Sequence, residues 1–144
     1  MIALTHFVFG LSIAYVLDKR IVTASAFALV ADLDTTFTFL YPFTPEGIMH
    51  SLIAATLSTF LVYVYTEDRV SAESCAIGYI ISGIGLDIIT NSGVPIFFPV
   101  FGDISIPLTA TESLAPNLVI IILSLSLMFG KKHGMFSIDF PDNL

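Results

Sequence analysis

Residues 82–99 read SGIGLDIITNSGVPIFFP, an apolar segment that holds one carboxylate, Asp87, and runs directly into a loop of glycine and proline. An isolated charge at the centre of a bilayer costs at least about 2.5–3.5 kcal/mol, so an acid in such a segment pairs, takes up a proton or binds a cation. Asp87 therefore needs partners from elsewhere in the chain. The candidates are His6, Asp32, Asp34 and His50.

The composition is that of a membrane protein. Hydrophobic residues make up 56% of the 144 positions and charged residues only 12%, against about 25% charged residues in soluble domains. The net charge of −7, with five Lys and Arg, excludes a nucleic-acid-binding surface, because phosphate binding needs clustered cations. Cys75 is the single cysteine, which excludes an intrachain disulfide. We expect membrane lipid to be the main partner.

The apolar runs predict an all-α integral membrane bundle of about five transmembrane helices. These form one domain, residues 1–129, and a polar cytoplasmic tail follows at 130–144. The predicted spans are 2–17, 21–40, 48–65, 71–90 and 114–129. Residues 91–113 contain too many glycines and prolines for a span, and predict a re-entrant or interfacial loop between helices 4 and 5.

Asp32 and Asp34 interrupt the second predicted span. Residues two apart on an α-helix point about 200° apart, so both carboxylates cannot face one point unless the helix breaks. We therefore expect a break near residues 32–36, with non-helical backbone lining a buried polar site.

The fourth predicted span carries small residues at helical spacing, which let helices approach closely in a membrane. They are Ser71, Cys75, Gly78, Ser82 and Gly85. Asp87 is predicted to lie off this stripe, one turn after Gly83.

The basic residues predict the orientation. Lys19-Arg20, Arg69 and Lys131-Lys132 fall on one side of a five-span bundle, and the positive-inside rule makes that side cytoplasmic. The N-terminus is then outside and the C-terminus cytoplasmic. This places the polar residues at one depth, in the outer halves of four spans. They are His6, Asp32, Asp34, His50 and Asp87.

Two imidazoles and three carboxylates are a chemically sensible set for a divalent metal ion, with zinc expected first and manganese second. Asp34 and Asp87 are also candidates for the general base. Structural roles stay open for the others: His50 bonded to a carbonyl group, His6 at the membrane interface, and Asp32 as a cap of backbone amides.

Four motifs resemble those of the membrane-bound metal-dependent hydrolases of bacterial and archaeal inner membranes, the LexA-binding, inner-membrane-associated hydrolase group. They are His6 before an apolar helix, ADLD at 31–34, GIMHSL at 47–52, and the 82–99 stretch. Their order and spacing match over about the first 100 residues. The resemblance implies an inner-membrane helical fold and a metal-dependent hydrolase.

The leading hypothesis is thus a hydrolase in which His6, His50 and an aspartate hold the ion at the extracytoplasmic side. A lipid or lipid-linked ester or phosphoester is the expected substrate. One alternative is a non-catalytic membrane scaffold, because PEG at 45–47 and Gly83 stand where the group has histidine-containing motifs. Another is a small ion- or proton-coupled transport protein, which would need polar residues in both halves of the membrane.

Overall fold

The chain is all-helical in the computed structural model, over the residues that the structure describes. Those residues are 3–33, 48–89, 94–97, 102, 104–106 and 113–135. The helices are α1 (Ala3–Val16), α2 (Ile21–Val30), α3 (Leu52–Thr66), α4 (residues 69–88) and α5 (Leu114–Lys132). The described residues contain no strand, and their single β-bridge joins Val94 and Ile104. The all-α prediction is confirmed.

Helix α4 is continuous but changes its winding twice. It is α-helical at Arg69–Ala76, π-helical at Ile77–Ile84 and α-helical again at Gly85–Ile88. The residues at both junctions keep right-handed helical dihedral angles, so the axis does not break. A π-helical segment in the middle of an α-helix is rare and is frequently found at functional sites.

Helix α2 ends before the predicted second span does. It stops at Val30, and Ala31 and Asp32 form a turn in which the Asp32 N–H donates to the Leu29 carbonyl oxygen at 3.1 Å. The expected break near residues 32–36 therefore begins at Asp32. Asp34 and the loop at 41–47 lie outside the described residues.

The start of α3 is fixed by two contacts. A 3-10 turn at Ile48–His50 precedes Ser51, whose hydroxyl oxygen caps the helix by accepting from the Ala54 N–H at 3.2 Å. The Leu52 N–H donates to the Ile96 carbonyl oxygen at 2.9 Å, so the segment after α4 folds back onto α3. Val94 of that segment is buried in the core.

The centre of the bundle is formed by α1, α2 and α4. Helix α1 contacts α2, α4 and α5, while α2 and α3 both contact α4. Four residues of the predicted stripe of small residues, Ser71, Cys75, Gly78 and Ser82, are buried, whereas the fifth, Gly85, is only half-buried. Small side chains let these helices come close enough for their backbones to touch.

The three basic groups lie at one end of the bundle, as predicted from the connectivity. Lys19 pairs with Glu73, Arg20 pairs with Asp68 at 2.8 Å, and Lys131 pairs with Asp18 at 2.6 Å. His6 is ten residues before the last residue of α1, or about 15 Å along its axis at 1.5 Å per residue. The predicted polar site and the basic groups thus occupy opposite ends.

Among the segments of unbroken α-helical winding in the described residues, α5 is long and apolar enough to cross a membrane on its own. Helices α1, α2 and α3 are apolar but have 14, 10 and 15 residues, fewer than the about 20 of a typical span.

Candidate metal centre

His6 is the middle of the site. Its side chain is 0% exposed, and its Nδ1 atom lies 3.0 Å from each carboxylate oxygen of Asp32. Its Nε2 atom lies 3.3 Å from Oδ1 of Asp87. The Ser82 hydroxyl donates to the His6 carbonyl oxygen at 2.6 Å, which fixes the backbone of α1 at this point against α4.

The Nε2 atom of His6 is buried and has no hydrogen-bond partner in the part of the chain that the structure describes. It approaches the Asp87 carboxylate, but the two groups are not aligned for a hydrogen bond. A buried polar atom without a partner is rare in folded proteins and calls for an explanation, such as a bound ion. The Nδ1 atom, in contrast, has both carboxylate oxygens of Asp32 within hydrogen-bond distance.

Asp87 joins the two histidines. Its Oδ2 atom lies 2.9 Å from Nε2 of His50, while Oδ1 faces His6. His50 ends the 3-10 turn before α3, and the side chains of His50 and Asp87 are each 12% exposed. The carboxylate therefore connects α1, α4 and the start of α3.

Ser82 and Asp87 of α4 both contact His6, but at different atoms. The Ser82 hydroxyl bonds to the backbone carbonyl oxygen of His6, and Asp87 approaches its ring. Gly83, one α-helical turn before Asp87, is also buried, and a Cβ atom there would meet Ala31, the residue before Asp32. The π-helical segment ends at Ile84, directly before the α-helical turn that carries Asp87. That Asp87 lies off the small-residue stripe stays a prediction.

The four described side chains can be neutral as a group in two ways. Two carboxylates balance two protonated imidazoles, or they balance one divalent cation bound between neutral imidazoles. Buried charges are tolerated only when they are compensated, and either state compensates the two carboxylates. Metal binding would replace protons, as it does at histidine sites generally.

The structure brings together four of the five residues that the sequence singled out: His6, Asp32, His50 and Asp87. Ligand atoms of His6, Asp32 and Asp87 all lie within 4.8 Å of one another. Asp34 lies outside the described residues. Asp32 faces Nδ1 of His6 with both oxygens, the arrangement by which a carboxylate orients a metal-binding histidine.

A comparison with models of protein families shows which family the chain belongs to. The family model for YdjM inner membrane proteins matches residues 1–138. The chain belongs to the YdjM inner membrane protein family. The match covers His6, Asp32, His50 and Asp87, and it agrees with the hydropathy in placing this YdjM-family protein in the inner membrane. Searches of curated proteins and of solved structures found no match.

Two hydrogen bonds next to the site residues of this YdjM-family protein were not predicted from the sequence. The Tyr79 hydroxyl donates to the Met49 carbonyl oxygen at 2.7 Å, next to His50. The Thr5 hydroxyl donates to Oδ1 of Asn117 at 2.7 Å, next to His6. The second bond could have been predicted from the asparagine in the apolar start of the last helix, since buried amides in membranes form hydrogen bonds between helices.

A groove runs along α3 of the YdjM-family protein from the residue two positions after His50. Its lining residues are Leu52, Ile53, Thr56, Leu57 and Phe60, and its volume is about 460 Å³. All five lining residues belong to α3, and Ile53, Leu57 and Phe60 are more than half exposed, so the groove is an open surface of one helix. The lining is apolar apart from the Thr56 hydroxyl, so an apolar chain fits it better than a polar ligand.

Proposed function

We propose that this YdjM-family protein is a metal-dependent hydrolase of the inner membrane, with a divalent ion held by His6, His50 and Asp87. The observation that carries this proposal is the buried Nε2 atom of His6, which lacks a hydrogen-bond partner among the described residues while Asp32 holds Nδ1. That combination leaves one nitrogen of the ring available for an ion and fixes its direction.

The donor set indicates the ion. Imidazole nitrogen and carboxylate oxygen together suit zinc first and manganese second. When bound, such an ion lowers the pKa of a coordinated water and polarises a carbonyl or phosphoryl oxygen. Asp34 and Asp87 are the candidate general bases, since proton removal requires a carboxylate within hydrogen-bond reach.

We place the site at the extracytoplasmic side of a bundle of five transmembrane helices. The support is that Lys19, Arg20, Arg69 and Lys131 share one end of the bundle through their ion pairs, and basic ends face the cytoplasm. His6 is at the other end of α1. The N-terminus would then be outside and the C-terminus cytoplasmic.

The proposed substrate is a lipid or a lipid-linked ester or phosphoester. The groove on α3 begins two residues after His50 and extends to Phe60, eight residues further, or about 12 Å along the helix. A substrate with its scissile group at His50 and Asp87 could place an apolar chain in this groove.

The test of the metal site is elemental analysis of protein purified without chelators. We expect one zinc or manganese ion per chain in the wild type, and loss of this ion in His6→Ala, His50→Ala and Asp87→Ala. His133→Ala is the matched control, because His133 lies at the far end of α5, where its ring centroid is 4.1 Å from that of Phe129. Absence of a stoichiometric ion from the wild type would reject the hydrolase.

Activity is tested on the metal-loaded protein with lipid-linked phosphoesters and esters in mixed micelles. Hydrolysis should depend on the added ion and disappear in Asp87→Ala, and a water-soluble analogue with the same scissile group should react more slowly. Metal binding without hydrolysis of any of these substrates would leave a metal-binding protein but not this enzyme.

The second candidate is a non-catalytic membrane scaffold that keeps the fold. One observation favours it: Asp32 and Asp87 are already balanced if His6 and His50 are both protonated, so the cluster can be stable without an ion. The metal analysis separates the two. A metal-free wild type whose stability falls in His6→Ala would support the scaffold.

A further inference from the structure

Tyr79 is the largest of the fully buried side chains in the described part of the chain. It lies on the π-helical segment of α4, eight residues before Asp87. A buried tyrosine is tolerated when its hydroxyl group finds a hydrogen-bond partner, because an unsatisfied hydroxyl is costly in an apolar environment. In this protein one acceptor is the Met49 carbonyl oxygen, at 2.7 Å.

This contact reaches the backbone that carries His50. Met49 and His50 are consecutive residues of the 3-10 turn, and His50 extends from it to within 2.9 Å of Asp87. A turn of three residues has few internal hydrogen bonds, so its position depends on such outside contacts. The Tyr79 hydroxyl therefore links the helix that carries Asp87 to the turn that carries His50.

The ring of Tyr79 also contributes to the packing around the site. It belongs to a buried cluster with Ala31, Ala55, Ile84 and Val94. Ala31 directly precedes Asp32, and Ala55 lies in the first turn of α3. One side chain thus packs among the elements that hold Asp32, His50 and Asp87.

We infer that Tyr79 is a positioning residue that sets the distance between His50 and Asp87 and thereby the affinity of the site for a metal ion. The inference rests on the proposed metal site and adds a residue to it that binds no ion itself. Removal of the hydroxyl alone should let the 3-10 turn shift while the packing of the ring is kept. Supporting residues of metal sites typically change metal affinity by about 10- to 100-fold.

The test is titration of the full-length protein in detergent with Co²⁺ and Zn²⁺, comparing the wild type with Tyr79→Phe. We expect an affinity about 10- to 100-fold lower in Tyr79→Phe, together with a changed Co²⁺ absorption spectrum. Tyr63→Phe is the matched control, since Tyr63 is an exposed tyrosine on α3. Equal affinity and an identical spectrum in Tyr79→Phe and the wild type would overturn the inference.

Two further variants distinguish a positioning role of Tyr79 from a purely structural one. Val94→Ala loosens the same buried cluster without touching Met49, so it should lower thermal stability but leave affinity nearly unchanged. His50→Ala is expected to lose the stoichiometric ion, so the weak Co²⁺ binding left in that background is measured at higher ion concentration; Tyr79→Phe should not weaken it further, because Tyr79 acts through His50. An additive effect there would also overturn the inference. A wild type that binds no ion would instead reject the proposed function itself.

Discussion

Gly78 of α4 lies directly against the backbone of α2 at Ala24. A Cβ atom at position 78 would overlap the carbonyl group of Ala24, so this helix pair is in contact through its backbones. Gly10 of α1 and Gly83 of α4 similarly face the Cβ atoms of Ala28 and Ala31. These contacts set how close α1, α2 and α4 come, and so whether His6, Asp32 and Asp87 can meet.

Gly78→Ala should destabilise the protein. Alanine gains about 1 kcal/mol over glycine in a helix, but overpacking against a rigid backbone costs about 3 kcal/mol, so the net effect is a loss. The single cysteine, Cys75, is fully buried, and a thiol-reactive dye will report thermal unfolding through it. Gly102→Ala is the control, because a Cβ there meets no atom of the described residues within 4 Å. An unchanged melting temperature in Gly78→Ala would contradict the close packing.

Asp32→Asn should weaken metal binding without abolishing it. Both Asp32 oxygens face Nδ1 of His6, so we expect Asp32 to orient the ring and not to bind the ion, and its change to cost about 10- to 100-fold in affinity. Asp87→Asn should remove stoichiometric binding. Competition with a chromophoric chelator measures both. Equal losses in the two variants would make Asp32 a ligand, as the sequence alone suggested.

The sequence predicted the helices and four members of the site for clear physical reasons. Long apolar runs indicate where helices lie, although α2 ends at Val30 within the run at 21–40, and the cost of burying a charge in such runs favours a meeting of the charged residues. His6, Asp32, His50 and Asp87 could therefore be named from their depth alone. Asp34 was named by the same reasoning, and it stays a prediction.

The parts that the sequence did not predict depend on tertiary structure. The π-helical winding of residues 77–84 has no local sequence signature, and an α-helical register was expected there. The bond between Tyr79 and Met49 joins positions 30 residues apart, which no spacing rule connects. That Nδ1 of His6 faces Asp32 while Nε2 faces Asp87 also follows only from the positions of the two carboxylates in the folded protein.

The end of the bundle that carries Lys19, Arg20 and Lys131 also carries Asp68. The contribution of Asp68 to the stability of the protein should depend on pH. The Ser71 hydroxyl and then Arg20, together with the N–H groups of Val70 and Ser71, donate to this carboxylate and hold its pKa below the ordinary value of 3.8. Since the pKa is lowered by folding, the stabilisation is fully present above about pH 4 and is lost as the pH falls through the lower folded value.

The comparison that isolates this effect is the wild type against Asp68→Asn, with unfolding followed by circular dichroism. The difference in melting temperature should be constant from neutral pH down to about pH 4 and shrink below it. A difference that stays constant below that pH would show that the charge of Asp68 adds nothing beyond its role as the cap of α4.

The proposed orientation predicts opposite accessibility for the two ends of the bundle. In a Cys75→Ser background, Gly102→Cys should react with a membrane-impermeant maleimide in intact cells, and Lys132→Cys only after the membrane is opened. Both native residues are exposed. The reverse pattern would place the site at the cytoplasmic side, and labelling of both from one side would reject the five-span arrangement.

Helix α5 is attached to α1 by polar contacts at both ends. It packs chiefly against α1, with the Thr5–Asn117 bond at one end and, at the other, Lys131 donating to the carbonyl oxygens of Tyr15 and Val16 at 2.8 and 3.0 Å. Much of the rest of α5 presents exposed apolar side chains. Because lipid is as apolar as these side chains, packing alone gives little preference for the docked position.

Thr5→Val should therefore lower the free energy of unfolding by about 0.6 kcal/mol, the average measured for hydrogen bonds between membrane helices, and by at most about 1.7 kcal/mol. A double-mutant cycle with Asn117→Leu should give a coupling energy of similar size, since the two side chains share one bond. Ser124→Ala is the control, because the Ser124 hydroxyl bonds within α5 to the Ile120 carbonyl oxygen. If Thr5→Val and Ser124→Ala had the same small effect and the cycle showed no coupling, the bond would not hold α5 against α1, and the docking of this helix would have to come from packing.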